Sequence, residues 1–273
     1  MHPSMISKDG DISINIKCKE VTWFNFLQYS RDTNSVFGGW NSKSYWIKSG
    51  LEILSGADFI RVWTNNSLSN DIPEPRKKDF MFNRKFSGRR DAIITKGVEN
   101  IDHLSENDIN AFLFIKNDPF FDYNLIGYEI PLVDDKEGQL KIDLVGLNVR
   151  DNKIGIIELK QSNSPSNSPL FALVELLCYG IQLLKCKTNI SKEMIQKNDQ
   201  IIEEHYFNNI NLLIAAPEMY WNYWGFVGNK KIEIKDYFNK LLEIINPVII
   251  EKTGSSFYLE FYKINSDFST EKT

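Results

Sequence analysis

Three charged residues stand inside otherwise apolar runs. Asp143 interrupts LKIDLVGL, and Glu158 and Lys160 close IGIIELK. A buried, unpaired carboxylate is costly, so these charges need each other, solvent at a strand end, or a metal ion. Side chains alternate along a strand, which puts Glu158 and Lys160 on one face. A short turn at Asp151-Asn152 makes the two runs antiparallel partners, with position 143 roughly opposite 160 and 145 roughly opposite 158. Asp143 then approaches both partners on a shared face. Two carboxylates and an ammonium in one cleft suit phosphodiester hydrolysis. The oxygens are hard ligands for Mg²⁺ or Mn²⁺. Such an ion would polarise a phosphoryl oxygen and acidify a water. The lysine can orient or deprotonate that water, or stabilise the developing charge. Neighbouring carboxylates raise the pKa of Lys160 and burial lowers it, a balance the sequence leaves open. The ordinary alternative is a rim ion pair between Asp143 and Lys160 with Glu158 solvated, which contributes little stability when exposed.

The elements that must position these residues follow from periodicity. Ser105 caps a helix with Asp108 as its capping-box partner, Ile109, Phe112 and Leu113 follow at helical spacing, and Asn117-Asp118-Pro119 ends the run. Strands are expected over 125–132, 139–149 and 153–160. Ser168 caps a second helix, with Pro169 at its first position, running to about Lys187. Leu170, Leu173, Val174, Leu177, Ile181 and Leu184 line one face, and Phe171, Leu176 and Leu183 make the remainder apolar enough for burial. A strand at 209–215, an aromatic loop (MYWNYWGF), a helix near 234–246 and a strand near 256–263 complete the chain. The order from 105 to 215 is helix, three strands, helix, strand, an α/β arrangement with a mixed sheet flanked by helices. Upstream, DISINIKC at 11–18 reads as a strand, 42–55 as a helix, 58–64 as a strand, and the polar TNNSLSNDIPEPRKKD as a linker. One or two strands are expected in 80–95. This divides the chain into an N-terminal α+β extension of unassigned fold, 1–95, and a domain carrying the site, 96–273.

The pieces LSENDINAFL, GYEIPL, LKIDLVGL and IIELKQ, in that order, resemble the PD-(D/E)xK nuclease superfamily, whose restriction-endonuclease-like core has the same succession of elements. The resemblance covers roughly 110 of the 273 residues. It implies that Asp143 is the metal-binding aspartate and Glu158 the second acidic ligand. The carbonyl of Leu159 would complete the coordination, and Lys160 would be the catalytic lysine. Glu106 matches the acidic residue that many members carry on the first core helix, and Ile142 replaces the family's proline. The resemblance further implies a nuclease dependent on Mg²⁺ or Mn²⁺, acting on DNA rather than RNA. Many members are homodimers, because cutting both strands needs two sites. A further reading, compatible with the acidic balance and the lack of an obvious recognition domain, is a restriction or defence nuclease that needs a partner protein. The alternative is a catalytically silent module of the same fold that binds nucleic acid or protein.

Other residues carry weaker signals. Glu106 sits in a first helical turn, where the helix dipole alone favours an acid, and Glu129 competes with it for the site. Gln161 points opposite to Lys160 if the strand continues. Glu175, Tyr179 and Gln182 form one helical stripe, expected to face solvent, although related families direct a glutamine from this helix toward the site. Tyr220, Trp221, Tyr223 and Trp224 could stack bases, but packing a loop against the core is the favoured reading. Arg76-Lys77-Lys78, Arg84-Lys85 and Arg89-Arg90 either lead a phosphate backbone toward the site or form a solvated loop. His2, His103 and His205 have no ligand spacing, so no zinc is expected. With 42% hydrophobic and 25% charged residues, a core forms without staples. A net charge of −4 argues against indiscriminate nucleic-acid binding. The three scattered cysteines, Cys18, Cys178 and Cys186, suit a reducing cytoplasm. No apolar run is expected to reach a membrane span, and MHPSMISKDGDISINIKCKE lacks the apolar segment of a secretory signal.

Overall fold

Alternating apolar side chains build a six-stranded mixed sheet, with helices on both faces. The computed structural model describes residues 22–31, 57–69, 101, 104–116, 122–132, 141–148, 150–161, 168–198, 203–227, 230–231 and 233–273. The expected strand at 11–18, the helix at 42–55, the strands in 80–95 and the basic cluster at 76–90 lie outside these residues. So do Cys18, His2 and His103.

The strands are β1 (Tyr123–Pro131), β2 (Lys141–Asn148), β3 (Lys153–Leu159), β4 (Asn209–Pro217), β5 (Ser256–Ile264) and β6 (Thr270–Lys272), in that spatial order. The pairs β1–β2, β2–β3 and β5–β6 are antiparallel, while β3–β4 and β4–β5 are parallel. The helices are α1 (Trp23–Arg31), α2 (Ala57–Ser69), α3 (Glu106–Lys116), α4 (Pro169–Asn198), α5 (Glu218–Trp224) and α6 (Ile234–Thr253). A parallel pair needs a crossover: α4 provides it between β3 and β4, and α5 with α6 between β4 and β5. The period of two sorts the central strands cleanly. Ile154, Ile156, Ile210, Leu212 and Ile214 join the core under α4 together with residues of α1, α2 and α6. Ile157, Leu159, Leu213 and Ala215 pack on the opposite face with Ile109 and Leu113 of α3.

Both expected caps form. The Asp108 N–H donates to Ser105 Oγ at 3.2 Å while Ser105 Oγ donates to the Asp108 carboxylate at 2.6 Å. The Phe171 N–H donates to Ser168 Oγ at 3.1 Å. α4 continues to Asn198 instead of ending near Lys187. No Gly or Pro interrupts 187–198, and Ile190 and Ser191 remain buried. Its close approach to β5 requires Gly180, where an added Cβ would lie 2.7 Å from Phe257 Cζ. Contrary to the expectation of no membrane-length apolar run, Pro169–Lys192 is long and apolar enough to cross a membrane by length and composition alone. However, 94% of its most apolar window is buried inside the protein, as a central core helix requires.

Two further elements differ from their sequence readings. Residues 58–64 are not a strand but the first half of α2, which also takes in the start of the supposed linker. Ile60, Trp63, Thr64 and Ser67 are buried while Asp58 and Arg61 are exposed, a 3.6-residue period that the short window disguised. Trp23 docks α1 onto this helix: its indole N–H donates to Thr64 Oγ1 at 2.9 Å and its backbone N–H to Ser67 Oγ at 2.8 Å. The aromatic loop is helix α5, with Tyr220 and Trp224 one turn apart in the core and the Trp221 indole donating to the Tyr262 carbonyl at 2.9 Å. Core packing thus accounts for three of its four aromatic rings, and Tyr223 is exposed.

Candidate active site

The hairpin between β2 and β3 sets the site's geometry. Its last pair is Asn148 opposite Lys153, so the loop spans the four residues 149–152 and not a two-residue turn. Asn148 Oδ1 accepts the N–H groups of Arg150 at 3.0 Å and Asp151 at 3.2 Å, and Asn152 takes the left-handed conformation with φ 52°, which asparagine tolerates well. The longer loop shifts the expected register by two residues. Leu144 lies opposite Ile157 and Val145 opposite Ile156, which brings Asp143 opposite Glu158 and not Lys160. Asp143 Oδ2 accepts the Leu159 N–H at 2.9 Å, so the Leu159 peptide touches the site through its N–H.

Glu158 and Lys160 continue the face of Ile154 and Ile156, toward α4. Lys160 Nζ lies 2.5 Å from Glu158 Oε1 and 3.0 Å from Glu175 Oε2, and all three side chains are at least nine-tenths buried. A rim pair between Asp143 and Lys160 does not form; the lysine bridges two buried carboxylates instead. The stripe of Glu175, Tyr179 and Gln182, expected to face solvent, is buried, because α4 lies between the sheet and other helices and has no solvent face along this stretch. Glu175 is therefore a site residue that stripe spacing alone placed wrongly. The signal that points to it is the lysine, which needs a second anion when buried beside Glu158.

α3 supplies the third carboxylate. One carboxylate oxygen each from Glu106, Asp143 and Glu158 lies within 4.8 Å of the other two. The group contains Glu106 and not the competing Glu129, which sits in the left-handed region at φ 46°. The Gln161 side chain turns away from Lys160 and donates from Nε2 to the Leu104 carbonyl at 2.7 Å.

Crowding of like charge away from water governs the electrostatics. Burial, then the Glu106 charge, pushes the Asp143 carboxyl up to about 7. Burial and the neighbouring Asp143 and Glu175 hold the Glu158 carboxyl well above its usual range, and burial raises Glu106 despite Lys160 nearby. Burial opposes the charge on Lys160, but Glu158, Glu175, Glu106 and Asp143 outweigh it and hold the ammonium well above its ordinary pKa. That resolves the balance the sequence left open. The phenols of Tyr179 and Tyr220 lie in the same field, each raised by burial.

The donor set fits a hard divalent cation. Among the described residues, four carboxylates face one ammonium, so full ionisation leaves a net charge of −3 at a site where Glu158, Glu175 and Lys160 are buried. Glu158 Oε2 is buried with no hydrogen-bond partner among the described residues, a costly state for a carboxylate oxygen that a cation would relieve. Glu106 and Asp143 are half-buried, so access is from their side. Comparisons of the chain with protein-family models, with curated proteins and with solved structures return no match.

Proposed function

We propose that this chain is a divalent-metal-dependent nuclease of the PD-(D/E)xK type, hydrolysing phosphodiester bonds. The observation that carries the reading is the convergence of Glu106, Asp143 and Glu158 within 4.8 Å, with the Lys160 ammonium against Glu158. It is supported by the setting: a helix, an antiparallel three-strand meander, a helix and a parallel strand, in the order of the restriction-endonuclease-like core. Glu106, Asp143 and Glu158 would hold Mg²⁺ or Mn²⁺. When bound, the ion supplies charge neutralisation and polarisation of a phosphoryl oxygen. The Leu159 carbonyl is assigned to the ion by the resemblance alone.

The chain's own residues divide the remaining work. The Leu159 N–H fixes the Asp143 carboxylate, so its second oxygen is free to point at the ion. Lys160 holds Glu158 by one N–H and Glu175 by another. Pinned between carboxylates, its ammonium stays charged and serves as a fixed positive group beside the developing phosphoryl charge, rather than as a base. Glu175 keeps that ammonium in place. The half-buried Glu106 and Asp143 define the mouth through which the phosphodiester arrives. DNA as the substrate, a restriction or defence role and a dimeric state rest on the family resemblance. Cys178 and Cys186 are buried, and so few, scattered cysteines suit a reducing cytoplasm.

The test is cleavage of supercoiled plasmid, linear duplex, single-stranded DNA and RNA, each with Mg²⁺, with Mn²⁺ and with EDTA. Asp143→Ala and Lys160→Ala proteins run alongside. Metal-dependent cutting lost in both variants supports the reading, and the preferred substrate names its class. Equal cutting by the variants marks a contaminant and refutes the site. Metal binding without cutting turns the assignment to the catalytically silent module.

A further inference from the structure

We propose that Gln161 is a positioning residue that completes the acidic cluster by locking the start of α3 to the end of β3. The inference rests on the metal-site reading above. Asp143 and Glu158 face the α4 side of the sheet, whereas α3 packs on the opposite face against Ile157 and Leu159. Glu106 must therefore bring its carboxylate around the strand end from another layer. The apolar contacts of Ile109 and Leu113 hold α3 against the sheet, but hydrophobic packing is non-directional and leaves the helix free to slide along its axis. Ligand atoms tolerate only about 0.2 Å of error.

Gln161 removes that freedom. Following Lys160, its side chain falls on the α3 side by strand alternation. Nε2 donates to the Leu104 carbonyl at 2.7 Å, two residues before Glu106, and the Gln161 backbone N–H is near enough to the Glu106 carboxyl to favour its ionised form. Between those two anchor points Ser105 caps the helix through Asp108. The two residues that lead into Glu106, 104 and 105, are thus held by one glutamine and one cap. The residue that follows the catalytic lysine reads the position of a carboxylate 55 positions upstream in sequence and holds it in place.

The experiment compares Gln161→Met, which keeps the backbone N–H and the side-chain size, with wild type in two measurements. Gln161→Asn, whose amide falls one methylene short of Leu104, serves as the second variant. Mn²⁺ affinity is measured by calorimetry in the wild-type and Glu106→Gln backgrounds. Hydrogen exchange of the metal-free protein is followed over 101–112, with 209–217 as the reference. The expected results are an affinity loss of about tenfold in the wild-type background and of less than about twofold in the Glu106→Gln background. Exchange should accelerate at the start of α3 while β4 stays unchanged. Equal losses in both backgrounds, or unchanged exchange at α3, would overturn the proposal. If the wild-type chain binds no Mn²⁺, the metal-site reading fails, and the exchange measurement alone upholds or overturns the lock.

Discussion

Replacing Lys160 by methionine removes the ammonium that lies between two buried carboxylates, 2.5 Å from Glu158 and 3.0 Å from Glu175. Methionine matches the aliphatic stem, so packing changes little and the loss is electrostatic. Stripping one partner from a buried ionic group costs about 3–5 kcal/mol. For a chain of this size each kcal/mol lowers Tm by about 2–4 °C, so Lys160→Met should melt roughly 6–20 °C below wild type in EDTA at pH 8. The stranded carboxylates escape by taking up protons. The deficit should therefore shrink as pH falls toward 5, because the cost of a raised carboxyl pKa builds up between the unfolded and the folded pKa, stays in full above the folded one and vanishes below the unfolded one. Adding Glu175→Gln removes one stranded charge, and the double variant should regain part of the loss, a coupling of at least about 1 kcal/mol. Differential scanning fluorimetry across pH, backed by urea unfolding, reads both effects. A Lys160→Met protein as stable as wild type at pH 8, or a double variant no better than the single one, would refute the buried-bridge account.

The other predictions address the cluster and its packing. Asp143→Asn can keep the acceptor for the Leu159 N–H while removing a crowded charge, so metal-free protein at pH 8 should melt higher than wild type while Mn²⁺ binding is lost. Calorimetry and thermal melts read the two together, and a lower Tm would contradict the crowding argument. In EDTA, the contribution of Asp143 to wild-type stability should fall as pH rises from about 4 to about 7 and level off above. Asp143 is ionised at ordinary carboxylate pH when unfolded but only near 7 when folded. Mn²⁺ should stabilise increasingly over the same window as protons leave, and a metal increment largest at pH 5 would contradict this. Gly155→Ala would place a Cβ 2.6 Å from Cε1 of the buried Tyr123 ring. It should cost about 1–3 kcal/mol by urea unfolding, whereas a neutral effect would mean that the ring can move aside.

Local chemistry made much of this site legible. The alternation in IGIIELK put Glu158 and Lys160 on one face whatever lay above them, because strand pleating is a property of the backbone. The caps at Ser105 and Ser168 and the apolar wheel of α4 follow from interactions within a few residues. A window as short as 58–64 could not separate a strand from a helix, because both periods fit so few positions until Trp23 and Ser67 close the turn. The partner of Asp143 depended on loop length, and a single side chain, Asn148, set that length by capping backbone N–H groups.

The sequence by itself determined that a chain this apolar must explain its internal charges, and that the charges at 143, 158 and 160 belong to adjacent strands. Tertiary structure alone decided which other charges join them. Glu175 became a buried partner of Lys160 because α4 is enclosed by other helices, and Glu106 reached the cluster because Gln161 ties α3 to the strand end. Such neighbours are set by packing between segments distant in sequence. No local period encodes them, because the energy that selects them exists only once the layers close.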